Sequence, residues 1–290
     1  VVLALPPAMV LSAGLGTRLR PLTELRAKPL VPVGDRPALA HILDRLRAAG
    51  VPRVVVNAHH LADQVVAFAR SQAGDVLVSE EVELLGTAGG LAKAEGLLGE
   101  GDVLVWNGDI LAEVDVAALV SAHAAGDRVA TLVVQPLPAG QGPVGLDGQG
   151  RVVRLRKESF GDETRGGQFL GIYVLGASLR ERLVCPGGVV EDVLVPAMAS
   201  GQVVRALEYT KPWHDIGTVE SYRAANLAWL DARGLASWIA PGATLAPGAT
   251  LDRSLVGEGA TVDGEGTLAR CIVWPGARAV APMADQIVTS

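Results

Sequence analysis

Cysteine is nearly missing from this chain: Cys185 and Cys271 are the only thiols in 290 residues. Two thiols make neither a disulfide framework nor a zinc-ligand spacing. They exclude a stapled secreted scaffold and lead to the expectation of a reducing cytoplasm. Positive charge is also in deficit. A net charge of -6 argues against a binder of duplex nucleic acid, which needs a positive surface. A local cationic pocket is still allowed, because pocket charge and net charge are separate quantities. Long apolar runs are absent too. The opening Val1–Val10 is apolar, carries no basic residue and is too short to cross a bilayer. No membrane partner is expected, and a first buried strand near Met9–Ala13 accounts for the stretch. Ordinary apolar residues, by contrast, are plentiful. Hydrophobic residues make up 49% against 19% charged, enough to bury a sizeable core and exclude wholesale disorder. The length suits one large domain with a small appendage.

The pattern along the chain divides it near residue 234. From Ala8 to about Leu230, short apolar runs alternate with helical stripes. MVLSA (9–13), RVVVN (53–57), DVLVW (102–106) and ATLVV (130–134) have the length and branched content of buried strands. Leu39, Ile42, Leu43 and Leu46 lie at helical spacing, as do Leu61, Val65, Val66 and Ala69. Strands alternating with helices predict a three-layer α/β domain over 1–234 with a mainly parallel sheet. In such sheets ligands sit beyond the carboxyl ends of the strands.

After Leu235 the charged helices stop. Ile239, Leu245, Leu251, Val256, Val262, Leu268 and Val273 recur at steps of six, six and five, a unit of seventeen residues. Each unit opens alike, as IAPGA, VGEGA and VWPGA. Fixed register of this kind predicts a β-solenoid over 235–290, rather than a disordered Gly/Pro-rich tail. Ile239, Val256 and Val273 are expected to stack as one inward ladder, and Ala243, Ala260 and Ala277 as a second.

The chemistry concentrates in a glycine loop. Leu11-Ser12-Ala13-Gly14-Leu15-Gly16-Thr17-Arg18-Leu19 follows the first strand, and Lys28-Pro29 comes soon after. Glycines let backbone N–H groups approach phosphate oxygens, and Arg18 and Lys28 add fixed positive charge. A dinucleotide-binding turn would need a third glycine where Leu19 stands, and a Walker A loop is absent. A lone glycine pair would read as a tight turn; the full string L-x-A-G-x-G-T-R-L-x-P-L-T followed by K-P-L-V-P-V is far more specific.

With that string the chain resembles the sugar nucleotidyltransferase (NDP-sugar pyrophosphorylase) family. The likeness runs from Met9 to about Leu230. It rests on LSAGLGTRLRPLTELRAKPLVPV (11–33), LLGTAGGL (84–91), WNGDI (106–110) and WHDIGTVESYRAAN (213–226). It implies a Rossmann-like domain that joins a nucleoside triphosphate to a sugar 1-phosphate and releases pyrophosphate. Ala13, Gly14, Gly16, Thr17, Gly86 and Thr87 would then hold the nucleotide. Arg18 and Lys28 would grip the triphosphate, and Asp109 and Asp215 would hold Mg²⁺. Gly142, Lys157 and Gly171 would meet the sugar phosphate. The chemistry is in keeping with those roles, because two anions must be brought together and charge neutralisation matters more than a general base. For each aspartate, a turn or helix-cap role is the alternative, notably for Asp215, which precedes a helix opening near Thr218. His59 and His60 read as pocket-lining, surface or packing residues. Glu80, Glu81 and Glu83 read as a solvated acidic run with no assigned role.

The sugar end departs from the family pattern. Arg156-Lys157-Glu158 stands where many members carry Glu-Lys-Pro, and Phe169 stands where many show Asn. The C-terminal repeat resembles the left-handed β-helix of hexapeptide proteins. Some of those are acyltransferases with a histidine base, but histidines 41, 59, 60, 123 and 214 all lie outside the repeat. The repeat is therefore read as an oligomerising or regulatory appendage, the contact of a homo-oligomer. Guanylyl transfer to mannose 1-phosphate is the first choice and uridylyl transfer to glucose, N-acetylglucosamine or N-acetylmuramate 1-phosphate the second. Thymidylyl transfer is the third. A non-catalytic sugar-nucleotide-binding regulator is the rival from another class.

Overall fold

The computed structural model describes residues 4–290. Val1–Leu3, which open both the apolar start and the expected 1–234 domain, lie outside the described residues. The chain forms two compact units: residues 1–15 with 42–213, and residues 16–41 with 214–290. The change of pattern at 234/235 therefore falls inside the second unit.

The first unit is built on ten strands, those at the centre of the sheet apolar on both faces. They are β1 (Ala8–Leu11), β2 (Val54–Ala58), β3 (Val76–Glu80), β4 (Val103–Asn107), β5 (Ala130–Leu137), β6 (Val144–Leu146), β7 (Val152–Leu155), β8 (Glu158–Ser159), β9 (Arg165–Leu175) and β10 (Val204–Glu208). All ten join one sheet. Val55, Val56, Val103, Leu104 and Val105 are fully buried, so this part of the sheet is covered on both sides, as parallel strands require. The order β3-β2-β1-β4 is parallel throughout. β9 then runs antiparallel to β4 and β5, and β10 is parallel to β5. The first residues of β9 also pair with β6, which leads to β7 and β8. The sheet is thus mixed and parallel at its centre.

Two of the helices are those expected from the apolar stripes, α1 (Ala38–Ala49) and α2 (Ala62–Ser71); the next is α3 (Gly86–Lys93). In α3, Ala88 and Leu91 are buried against Met9, Val55 and Val105 of the sheet core. Removing the Leu91 side chain would cost about 2–5 kcal/mol. Because β1 to β4 are parallel, the segments after Leu11, Ala58, Glu80 and Asn107 emerge at one edge. β2 flanks β1 on one side and β4 on the other, so the topological switch point lies at β1.

In the second unit, helix α4 (Val219–Asp231) buries Tyr222, Ala225, Asn226, Trp229 and Leu230. Tyr222 Oη donates to Pro32 O at 2.6 Å. Asn226 Oδ1 accepts from Gly34 N–H at 2.9 Å, within the turn between the short paired strands Pro32–Val33 and Arg36–Pro37. Gly34 has φ 64, and a Cβ there would collide with the Trp229 indole. Trp274 Nε1 donates to Tyr222 Oη at 2.9 Å, which joins α4 to the C-terminal strands.

Those strands pair in parallel at the expected interval. Ile239, Val256 and Val273 are register partners, and the rung after Val273 is Val288. A second set stacks Thr244 on Thr261 and Thr261 on Arg278. Val256, Val273, Ala260 and Ala277 are buried as expected. Ile239 corrects the expectation. It is 48% exposed, because the first turn of a stack has a neighbour on one side only. Ala243 is likewise half-buried. Arg253, Arg270 and Asp285 take left-handed backbone at successive corners, each at a cost of about 1–2 kcal/mol that the stacked backbone bonds offset. Among the described residues no helix is long and apolar enough to cross a membrane.

Candidate functional site

The glycine string is shared between the units: Leu11–Leu15 belongs to the first and Gly16 onward to the second. In the first unit the loop leaves β1 with Ser12 and Ala13 buried and Gly14 exposed. A Cβ on Gly14 would meet nothing within 4 Å, so the protein itself does not demand a glycine there. Open backbone at that point is what a ligand would use.

The Asn107-Gly108-Asp109 turn lies against the same strand end. Gly108 N–H donates to Leu11 O at 2.8 Å. A Cβ on Gly108 would collide with Ser12 Oγ, so only bare backbone can pack this closely. Asp109, half-buried, is therefore set beside the glycine loop at the carboxyl edge of the sheet. Gly171 of β9 has φ 74, and a Cβ there would strike the Asn107 side chain. The start of the glycine loop, the Asp109 turn and Gly171 are thus brought together.

The LGTAGG segment (85–90) opens α3. Gly86 has φ 76, and a Cβ on it would collide with Gly187 O. Gly187 O accepts from Ala88 N–H at 2.9 Å, and Thr87 Oγ1 accepts from Val189 N–H at 2.8 Å. Thr87 and Gly86 are exposed, on a turn braced from behind by residues 187–189. Further along the unit, Gly142 has φ 71 and lies on Gly167 O. Arg154 Nη1 donates to Gly142 O at 3.0 Å, and Arg154 Nε pairs with Glu163 Oε2 at 2.6 Å. That pair ties Gly142 to the β7 strand whose following turn carries exposed Lys157. The Arg154 hydrogen bond, followed by one from Gly140 N–H, holds the Glu163 carboxyl below the usual range. Arg156 has φ 56 and pairs with Glu191 at 2.8 Å across exposed surface.

In the second unit Gly16 has φ 62, and its carbonyl accepts from Thr23 Oγ1 at 2.9 Å. A Cβ on Gly16 would lie 2.7 Å from Thr23 Cγ2 and 3.3 Å from Lys28 Cβ, which places Lys28 against the second glycine of the string. Thr17 and Arg18 begin the next short turn and are exposed. A Cβ on Gly217 would lie 2.7 Å from Asp215 Oδ1 and 3.0 Å from Arg18 Nη2. Asp215 and Arg18 therefore flank one bare glycine. The cap alternative for Asp215 fails on geometry. Thr218 is the N-cap of α4, its Oγ1 accepting from Ser221 N–H at 3.2 Å and its own N–H donating to Ser221 Oγ at 3.0 Å.

Two buried residues escaped the sequence reading. Glu81 is 4% exposed and Asn57 is 3% exposed, so Glu81 does not belong to a solvated run. The available signal was an amide closing an apolar strand, with an acid directly after the next one. His59 also turns inward, its Nδ1 within 3.0 Å of the Glu81 carbonyl. Among the described residues no group of three or more His, Cys, Asp or Glu forms a metal cluster. Mg²⁺ does not need one, since waters and phosphates complete its shell.

A family model described as nucleotidyl transferase matches residues 7–232. The catalytic subunit beta of mannose-1-phosphate guanylyltransferase from Drosophila pseudoobscura pseudoobscura is 31% identical over 234 residues, covering 77% of this chain and 62% of that protein. N-acetylmuramate alpha-1-phosphate uridylyltransferase from Caulobacter vibrioides is 48% identical over 124 residues, covering 41% and 51%. This chain therefore spans less than two thirds of either relative. The crystal structure of HddC from Yersinia pseudotuberculosis has the same fold, with a TM-score of 0.65 at 22% identity over 77% of this chain and 99% of that one.

Proposed function

The chain belongs to the nucleotidyl transferase family, and from that membership we propose that it joins a nucleoside monophosphate to a sugar 1-phosphate. A sugar phosphate oxygen attacks the α-phosphorus of a nucleoside triphosphate; the bond from that phosphorus to the β-phosphate oxygen breaks, and pyrophosphate leaves. The observation that carries this reading is the packing of Gly108 on the end of β1. It brings the Asn107-Gly108-Asp109 turn against the start of the glycine loop, at the switch point of a parallel sheet.

The residues divide the work by charge. Backbone at Ala13, Gly14 and Gly16 approaches the phosphates, with Thr17 beside them, while Gly86 and Thr87 frame the base. Arg18 and Lys28 offset the triphosphate charge, and Lys157 with Gly142 and Gly171 receives the sugar phosphate. Asp109 and Asp215 are hard oxygen donors of the kind Mg²⁺ takes, and the cap of the helix after Asp215 is Thr218. Bound Mg²⁺ would supply charge neutralisation at the phosphates.

Guanylyl transfer to mannose 1-phosphate is the preferred assignment, supported by a relative of that name that matches 77% of the chain. Uridylyl transfer is the alternative, favoured by the 48% identity of the shorter match. The stacked strands of 235–290, appended to a catalytic domain over 1–234, are read as a short left-handed β-helix and a self-association surface. The compartment is read as cytoplasmic. The test is pyrophosphate release across a matrix of nucleoside triphosphates and sugar 1-phosphates with Mg²⁺. GTP with mannose 1-phosphate should give the highest kcat/KM, and release from no pair would refute the proposal.

A further inference from the structure

Three buried polar groups run in series beneath the loops of the first unit. Ser12 N–H donates to Asn57 Oδ1 at 2.6 Å. Asn57 Nδ2 donates to Glu81 Oε1 at 2.7 Å, and Glu81 Oε2 accepts from Leu85 N–H at 3.3 Å. Ser12, Asn57 and Glu81 are 6%, 3% and 4% exposed. The series begins at the residue before Ala13 and ends at the residue before Gly86. It thus joins the take-off points of the two loops assigned above to opposite ends of the nucleotide.

The direction of every bond is forced. A backbone N–H can only donate, so Asn57 must present its oxygen to Ser12 and its NH₂ to Glu81. Glu81 is then an acceptor on both oxygens. Helix α3 rests directly on this pair: a Cβ on Gly90 would lie 2.8 Å from Asn57 Nδ2 and 2.9 Å from Glu81 Oε1. Polar groups this deep, with defined partners, hold one geometry and are costly to leave half-satisfied.

The geometry points to Asn57 and Glu81 as positioning residues that lock the glycine loop and the Leu85–Thr87 turn to a single spacing, and so set the affinity for the nucleotide. They act through backbone and need not touch it. This inference rests on the assignment of those two loops to the nucleotide.

The forced polarity supplies its own test. Glu81→Gln leaves one acceptor oxygen where two are needed, so either Asn57 or Leu85 loses its partner. Asn57→Asp keeps the acceptor for Ser12 but faces one carboxylate with another. The double variant Asn57→Asp/Glu81→Gln restores all three bonds with the central donor reversed. The new carboxylate accepts from Ser12 and from the Gln amide, and the Gln oxygen accepts from Leu85. Each single variant should raise KM for the nucleoside triphosphate by about tenfold, the loss expected when a buried group is orphaned. KM for the sugar phosphate should change less than twofold, and the double variant should return to within about threefold of the parent. Hydrogen exchange at the Ser12 and Leu85 amides should quicken in the single variants and slow again in the double.

An unchanged nucleotide KM in both singles would overturn the inference, as would equal rises for both substrates. Failure of the double to recover would also overturn it, because a Glu81 carboxylate that contacts the nucleotide directly is not replaced by Gln. If a single variant is recovered unfolded, the double decides alone: a normal nucleotide KM upholds the inference and a raised one overturns it. If the parent shows no transfer activity the functional proposal fails, and the exchange pattern then decides the coupling of the two loops by itself.

Discussion

Replacing Asp215 by Asn separates a metal ligand from a structural aspartate. The substitution keeps shape and removes the charge that a hard cation requires. It spares the helix cap, because the N-terminus of α4 is held by Thr218 and Ser221, with bonds of 3.2 and 3.0 Å, not by Asp215. Turnover should fall about a hundredfold or more, which is ~2.7 kcal/mol of transition-state stabilisation. Thr218→Ala should do the reverse. It removes the cap at a cost of about 1 kcal/mol, lowering Tm by roughly 2–4 °C, and leaves kcat within about twofold of the parent, less than the ~0.5 kcal/mol of an ordinary surface change. The assay is kcat at saturating Mg²⁺ for both variants, with thermal unfolding measured on the same preparations. Near-normal turnover in Asp215→Asn would refute the metal assignment, and an unchanged Tm in Thr218→Ala would refute the reading that Thr218 is the cap.

Lys157→Ala should raise KM for the sugar phosphate by tenfold or more with little change for the nucleotide, and equal losses in steady-state kinetics would count against it. Glu163→Gln removes the ion pair that braces Gly142, and should raise the sugar phosphate KM several-fold. Because the Glu163 carboxyl is held below its usual range, first by Arg154, its contribution is complete at neutral pH. It disappears as pH falls through the lowered pKa, so the variant should show a weaker loss of stability on acidification; an unaltered acid limb would refute this. In the stacked strands Val256→Ala should cost about 1–3 kcal/mol and Ile239→Ala, at a 48% exposed site, under 1 kcal/mol. Equal shifts in urea midpoint would contradict the observed burial.

Much of this architecture is legible in sequence where local pattern and burial agree. The runs at 9–13, 53–57, 102–106 and 130–134 become β1, β2, β4 and β5 within a few residues. The seventeen-residue register survives as paired rungs. Pattern alone misleads where position in the fold decides burial. Glu80 is exposed and its neighbour Glu81 is buried, because β3 ends between them and the chain turns inward onto Asn57. Ile239 repeats the motif of Val256 yet stands at an open end. Strand β9 is hidden from periodicity by its opening Arg165-Gly166-Gly167, which reads as a loop. Residues 16–41 fold with residues 214–290 through bonds such as Tyr222 to Pro32, separated by 190 positions and invisible to any local window. The candidate site is legible as four motifs, but the buried relay behind two of them is not, since neither Asn57 nor Glu81 lies inside a recognisable string.

Transfer of the α-phosphorus of a nucleoside triphosphate to a sugar phosphate oxygen is read out by label tracking. The enzyme, Mg²⁺ and a sugar 1-phosphate are incubated with triphosphate labelled at either the α- or the γ-phosphate. Nucleotidyl transfer puts α-label in a sugar nucleotide and γ-label in pyrophosphate alone. Label from the γ-position in the sugar product, or in free phosphate, would contradict it.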